Sequence, residues 1–464
     1  MPEPMESSAT IVATPSAMPS AVAAVRALRR RRFVRISSST GADPDPPDPA
    51  ASSRVARGTG ACASGPAVGP VVGWAFTRRR RRRPPCPGGH RPLSVQTGRA
   101  AVLETYHEPL AIREFPLPEP EPGAILVRME AGTMCGSDLH IWRGELGKSY
   151  TIPLPLILGH EMVGSIIAMG AGTDLDSVGT PLTIGDRIIW AGVPCHHCEL
   201  CTVEHATTLC ANRQMAPLRS CAGPPHFLGA FAEYGYISPG AGRLRVPDEV
   251  ASEWASAGSC ALRTCVQAVE KAGRVDFNDS VVVQGAGPLG LFATAILSTH
   301  GPRQLIVVGA PDDRLELARE WGATHTISIQ EHPTPEARLE AIRSITGGGP
   351  RLAFELSGAP GAFAEGVEIV RANGRYVVVG TLGGGPQSID PSRIVTRGLS
   401  VIGSMSGDTD VYSKALVFLR DHRDRFGWDR MLGNRYGLHN VTEGLEAMLS
   451  MSEIKPVFDP TLAG

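Results

Sequence analysis

The chain reads as an α/β protein in two unlike parts, a compact β-rich part and then a parallel-sheet part. Three observations carry this. From about Arg99, short apolar runs broken by Gly and Pro recur at the spacing of a small β-barrel. Around Ala261 the pattern changes to alternating strand and helix segments whose strands are rich in Val and Ile, as in strands buried on both faces. Within that second part the glycine-rich turn Gly285-Ala286-Gly287-Pro288-Leu289-Gly290 stands directly between a strand and a helix.

Residues 1–97 are rich in Ala, Pro, Ser, Gly and Arg, with the run Asp43-Pro44-Asp45-Pro46-Pro47-Asp48 and six consecutive arginines, Arg78 to Arg83. They sustain no helical or strand period and cannot bury enough apolar surface to offset the entropy of ordering, so a disordered extension is expected. It reads as a non-functional extension, as the product of a start codon set too far upstream, or as a cleaved organelle transit peptide. Arg29 to Phe33 hint at a twin-arginine signal, but polar residues 37–40 follow where an apolar core is required. The arginine run lacks the interleaved aromatics and folded platform of a nucleic-acid patch.

Strands are then expected at residues 100–103, 124–129, 162–169, 187–190 and 232–237. In the second part a strand at 280–284 precedes a helix at 288–299, a strand at 305–308 and a helix at 314–321. Further strands fit 352–356, 375–379 and 399–402, with helices near 410–421 and 442–449 and no internal repeat.

With 464 residues, 20% charged and 42% hydrophobic, the chain has room for two or three domains. Its 45 basic and 46 acidic residues hide an asymmetry: residues 1–97 carry a net +10 and residues 98–464 a net −11. An acidic folded part argues against nucleic acid or an anionic membrane as partner. No apolar run reaches the roughly 18 residues of a bilayer span, and the stretch at 71–76 is short and broken by glycine. A soluble, cytoplasmic chain is expected, with organelle targeting by the extension left open. Four of the ten cysteines crowd into one segment, which reads as metal binding in a reducing compartment rather than as disulfides.

In the glycine turn, Gly285 permits the tight turn, Gly287 lets backbone approach a pyrophosphate, and Gly290 lets helix pack on strand. The next strand should end in a carboxylate for the adenosine ribose, yet Val308 is followed by Gly309. Asp312 and Asp313 come later and read as caps of the helix expected from about Arg314. Cys195, Cys198, Cys201 and Cys210 supply four thiolates within sixteen residues, enough for a closed structural zinc, with His196 and His197 as bystanders. A second, dispersed group comprises Cys135, Ser137, Asp138 and His140, then His160 and Glu161, then Cys260. Two sulfurs plus one imidazole suit a catalytic zinc with one open position, although each residue alone reads as core.

Gly159-His160-Glu161-x-x-Gly164, Cys135-Gly136-Ser137-Asp138 with His140, Gly185-Asp186-Arg187, the four-cysteine lobe and the glycine turn together resemble the zinc-dependent alcohol dehydrogenases of the medium-chain dehydrogenase/reductase superfamily. The resemblance covers about residues 98–464. It implies a GroES-like catalytic domain at 98–261 carrying the zinc lobe, a Rossmann doubly wound parallel sheet at 262–404, and completion of the catalytic domain by 405–464. It implies two Zn2+ per chain, the catalytic one on Cys135, His160 and Cys260, the structural one on Cys195, Cys198, Cys201 and Cys210. Glu161 would lie close behind the catalytic metal or ligate it transiently, Asp138 would orient His160, and Ser137 would pass the substrate proton outward with His140 as outer relay. NAD or NADP would lie on Gly285, Gly287, Leu289 and Gly290, with Gly309 and Arg314 beside the adenosine.

The implied activity is hydride transfer between an alcohol, or its aldehyde or ketone, and NAD(P), in a homodimer or homotetramer. Alternatives are a polyol or sugar-alcohol dehydrogenase and, against the presence of all seven zinc ligands, an enone- or quinone-reductase-like or non-catalytic relative. Three departures from the family's pattern stand out. The last cysteine spacing is one residue longer than usual, Thr173 replaces a small or aliphatic residue, and Gly309 replaces the aspartate that favours NAD. Trp142 is a candidate pocket wall for an apolar or cyclic alcohol, with barrel packing as the plainer reading.

Overall fold

The computed structural model describes residues 96–148, 152–215, 218–380 and 386–462. The disorder expected of residues 1–97 and the apolar stretch at 71–76 lie outside the described residues, except at the end, where strand β1 already begins at Thr97. No helix among the described residues is long and apolar enough to cross a membrane.

The first part consists of β1 (Thr97–Leu103), β2 (Ala111–Pro116), β3 (Ile125–Thr133), helix α1 (Gly136–Trp142), β4 (Leu156–Ile157), β5 (Glu161–Met169), β6 (Arg187–Trp190), β7 (Tyr234–Ile237) and β8 (Arg243–Arg245). β1 lies between β2 and β4 in a small antiparallel sheet. β3 and β5 form the spine of a larger one, running antiparallel from the pair Ile125 and Met169 to the pair Thr133 and Glu161. On β3 only Arg128 and Glu130 escape full burial, so the apolar run fixes which face is core. The β3–β5 register therefore brings the residues just after Thr133 beside those just before Glu161. Thr173, the polar departure, is buried with its hydroxyl bonded to Gly170 O at 2.7 Å, so its polarity is satisfied locally.

Helix α2 (Ser252–Ala257), a π-helical turn at Gly258–Leu262 and helix α3 (Arg263–Ala272) lead into the second part. It comprises β9 (Ser280–Gln284), α4 (Pro288–His300), β10 (Gln304–Gly309), α5 (Asp312–Glu320), β11 (His325–Ser328), α6 (Pro335–Thr346), β12 (Leu352–Glu355), α7 (Ala362–Ile369), β13 (Arg375–Val378) and β14 (Ser400–Gly403). All six strands are parallel, in the order β11-β10-β9-β12-β13-β14. β9, with five buried residues, lies at the centre. The order reverses there, and the crevice beyond the strand ends is where such sheets hold dinucleotides.

Helix α5 starts at Asp312 with Pro311 at its N-cap, so Asp312 and Asp313 occupy the first turn and do not cap the helix as expected. Asp312 instead accepts from the Ser328 hydroxyl at 2.9 Å and ties α5 to β11. The chain ends in α8 (Thr409–Asp421), β15 (Leu432–Tyr436), α9 (Val441–Leu449) and β16 (Lys455–Phe458). β16 pairs antiparallel with β3, Val457 opposite Thr133, which returns the C-terminal segment to the first sheet.

Candidate active site and metal centres

Cys135, His160, Glu161 and Cys260 converge, each with a donor atom within 4.8 Å of the others. The strand register explains the first three: Cys135 follows β3 as N-cap of α1, and His160 immediately precedes β5. Cys260 arrives from the π-helical turn. The buried Asp138 holds both neighbours, accepting from Cys135 N at 3.0 Å and facing His160 Nδ1 at 3.0 Å. Nε2 of His160 is thereby left for the cluster. The thiol hydrogen bond to Cys260 pushes Cys135 up to about 12, while the same bond favours the thiolate at Cys260. Two sulfurs so close resist double ionisation unless a cation joins them. Two sulfurs and an imidazole around a shared point thus fit a zinc ion with an open position.

Glu161 is fully buried. Its Oε2 lies 2.6 Å from Lys455 Nζ and accepts from the Thr133 hydroxyl at 2.5 Å, while Oε1 is buried without a partner among the described residues. Burial pushes the carboxyl up to about 8 against the pull of Lys455. A dication seated beside it would pull it back down and give Oε1 the partner it lacks. Lys455, one of four lysines, stands at the start of β16 and also donates to Met134 O at 3.0 Å. The only trace of it in the sequence is a charged residue heading the otherwise apolar run Pro456-Val457-Phe458.

Ser137 and His140 lie on α1 and line the same cavity as Cys135. Ser137 Oγ is 3.9 Å from Cys135 Sγ. His140 is 31% exposed, and its Nδ1 lies 2.6 Å from Glu145 Oε2, whose other oxygen pairs with Arg143 at 2.8 Å. Glu145 carries no motif and becomes meaningful only through this contact. Trp142 does not line the cavity; it is buried in the core, its Nε1 bonded to Glu108 O at 2.8 Å, and the packing reading holds.

Cys195, Cys198, Cys201 and Cys210 form the second cluster, again within 4.8 Å. Their sulfurs stand 3.4 Å (Cys198 and Cys201), 3.8 Å (Cys198 and Cys210) and 4.0 Å (Cys195 and Cys201) apart. A tetrahedron with Zn–S of about 2.3 Å has edges of about 3.8 Å, so the four thiols fit a closed zinc site despite the longer last spacing. His196 and His197 turn away, their rings bonded to Gly240 O and Cys195 O.

A cavity of about 580 Å³ joins the first cluster to the glycine turn, lined by Cys135, Ser137 and His140 at one end and by Gly285, Gly287, Leu289, Gly309 and Arg314 towards the other. A Cβ on Gly290 would fall 1.9 Å from Gly285 O, whereas one on Gly287 would meet nothing within 4 Å. The third glycine therefore serves close packing and the second leaves the N-terminus of α4 open towards the cleft. No side chain among the described residues caps α4, so its first amides are available to an anion. Glu355, fully buried at the end of β12, accepts from Ser357 N (2.9 Å), Gly358 N (2.8 Å) and Gly380 N (3.1 Å), holding two loops of the cleft in place.

Gly309 sits closer to the turn than its sequence position suggests: a Cβ there would meet Ala286 N at 2.8 Å. Arg314 lines the cavity, but its guanidinium is spent on Met451 O and Glu453 O at 2.9 and 3.0 Å.

The model of the alcohol dehydrogenase GroES-like domain matches residues 121–248, and that of the zinc-binding dehydrogenase matches residues 288–421. The chain is 35% identical over 371 residues to 5-exo-hydroxycamphor dehydrogenase of Pseudomonas putida, covering 79% of this chain and 100% of that one. It is 28% identical over 372 residues to L-threonine 3-dehydrogenase of Deinococcus deserti, covering 79% and 98%. Among solved structures, an alcohol dehydrogenase of Thermotoga maritima superposes with a TM-score of 0.72 at 30% identity, covering 78% and 99%.

Proposed function

The chain belongs to the zinc-dependent alcohol dehydrogenases of the medium-chain dehydrogenase/reductase superfamily, and from that premise we propose that it oxidises an apolar, cyclic secondary alcohol to its ketone with NAD or NADP. The observation that carries the proposal is the cavity that runs from Cys135, whose donor atom clusters with those of His160 and Cys260, to the glycine turn. Hydroxycamphor and the 3-position of threonine both present a secondary hydroxyl, which supports the substrate class. Beside the donor cluster, Ala261, Leu289 and Met448 give the cavity apolar lining that offers no partners to the extra hydroxyls of a polyol.

In this reading Cys135, His160 and Cys260 would hold the catalytic zinc, and the four thiols of the lobe the structural one. Bound there, zinc would supply Lewis-acid polarisation of the substrate oxygen, and a bound nicotinamide would supply the hydride acceptor. Asp138 fixes the backbone of Cys135 and the ring of His160. Lys455 holds Glu161 by its Oε2. Ser137 Oγ takes the substrate proton and passes it towards His140, whose ring, held by Glu145, delivers it at the half-exposed rim. Leu289 and Met448 keep water from the reacting carbon. Gly287 and the open amides of α4 would hold the cofactor's pyrophosphate.

The domain limits proposed with this reading are 98–261, 262–404 and 405–464, with a cytoplasmic homodimer or homotetramer as the working form. A substrate panel with both cofactors tests the function. Bicyclic and monocyclic secondary alcohols should give the highest kcat/KM, and a higher value with polyols would overturn the substrate class.

A further inference from the structure

The loop at residues 404–408 joins two segments distant in sequence. On one side is Arg263, three residues beyond Cys260 and 6% exposed. Its guanidinium donates to the carbonyl of Ser259, the neighbour of Cys260, to the Ser406 hydroxyl, and to Gly407 O at 2.9 Å. It also lies 4.4 Å over the ring of Tyr412. No carboxylate pairs with it among the described residues, so these acceptors and the ring carry the cost of burying the charge.

On the other side is Asp408. It occupies the N-cap position of α8, yet its carboxylate does not cap that helix. Its Oδ1 accepts instead from Thr208 N at 2.7 Å and from the Thr207 hydroxyl. Thr207 and Thr208 belong to the 3-10 turn that leads directly into Cys210. Giving up a cap forgoes roughly 1 kcal/mol of helix stability, so the carboxylate is committed to the lobe at the expense of its own helix. Between the two sides, Ser406 holds φ at +59°, a conformation unfavourable for a residue with a Cβ, and its hydroxyl bond to Arg263 helps to keep it there. The turn that presents Cys260 is π-helical, and a Cβ on Gly258 would come within 2.8 Å of Leu419 on α8, so the turn packs closely against that helix.

We propose that Arg263 and Asp408 are positioning residues through which the four-cysteine lobe holds Cys260 in place, so that loosening the lobe loosens the catalytic donor set with which it shares no ligand. This rests on the reading of Cys260 as a ligand of the catalytic zinc. Coupling of this kind needs a contiguous set of contacts, and here it runs from Cys210 through Thr208, Asp408, Gly407 and Arg263 to Ser259.

The test uses the full-length zinc holoenzyme, challenged with a chromophoric chelator while release of each ion is timed. Cofactor affinity is followed in parallel by fluorescence. The Cys260→Ser variant identifies which release phase belongs to the catalytic ion. In Asp408→Asn, which keeps the shape of the side chain, and in Arg263→Met, the Cys260-dependent phase should be faster by about 10- to 100-fold, the usual effect of removing a partner of a metal ligand. Arg263→Lys should fall between parent and Arg263→Met, and cofactor affinity should hold. If Asp408→Asn and Arg263→Lys release the Cys260-dependent ion at the parent rate, with only the lobe ion affected, the coupling is overturned. If Cys260→Ser itself leaves both phases unchanged, the ligand reading falls and the coupling with it.

Discussion

His140 and Gly309 show how far single residues act through their neighbours. With Nδ1 of His140 held 2.6 Å from Glu145, the ring has a fixed orientation and an acceptor at its solvent side. His140→Gln should therefore lower kcat at neutral pH more than at high pH, where solvent base takes over the proton. A pH profile of kcat checks this, and an equal loss at all pH values would assign His140 a structural role. At Gly309, the absence of a carboxylate suggests that Gly309→Asp would shift preference towards NAD. The 2.8 Å approach to Ala286 N changes that expectation, because any side chain at 309 must first displace the glycine turn. Gly309→Asp should weaken NAD and NADP alike, by about 1–3 kcal/mol, the scale of overpacking. Fluorescence titration with both cofactors tests it, and a gain in NAD affinity would contradict it.

At the level of elements, the turn before β6 depends on Asp186. Its carboxylate accepts from Thr183 N at 2.7 Å and Thr183 Oγ1 at 2.9 Å, and Arg245 Nε lies 3.0 Å away. Burial would raise this carboxyl, but the bonds from Thr183 and the charge of Arg245 outweigh it and hold it below the ordinary range. A folded-state value below the unfolded one means stability that is present above pH ~4 and lost as pH falls through the folded value. Asp186→Asn should accordingly cost up to about 1 kcal/mol at pH 7, with the difference from the parent closing in acid. Urea unfolding of both proteins at pH 7 and near pH 3 measures it, and a difference independent of pH would assign the effect to shape rather than charge.

For the whole molecule, both donor clusters, the cavity and every described strand lie at or beyond Thr97. Deleting residues 1–95 should leave two zinc ions per chain and kcat unchanged within about twofold, because every residue of the donor clusters and the cavity lies beyond that segment. Metal analysis and turnover of the truncated enzyme check this, and loss of both would place part of the extension in the fold. The C-terminal return matters in the opposite sense. Through β16 it pairs with β3 and delivers Lys455 to Glu161, so the active site is assembled from both ends of the folded region.

The Val- and Ile-rich strands, the glycine turn and the cysteine spacings were legible because each is a local pattern: burial on both faces, a turn that only glycine permits, and ligands close in sequence. Short elements such as β11 and β15, with exposed positions and no clean period, left no such trace. The groups that complete the site were equally silent, since Lys455, Glu145, Glu355 and Arg263 have no motif and gain meaning only from what they touch. Sequence periodicity reports which face of an element is buried, and so it yielded the two-part architecture, while the lobe's ligands came from cysteine spacing and the catalytic set from the family resemblance. It carries no information about which distant segments meet. The pairing of Glu161 with Lys455, the approach of Gly309 to Ala286 and the bridge from Asp408 to the lobe were therefore decided by tertiary packing alone.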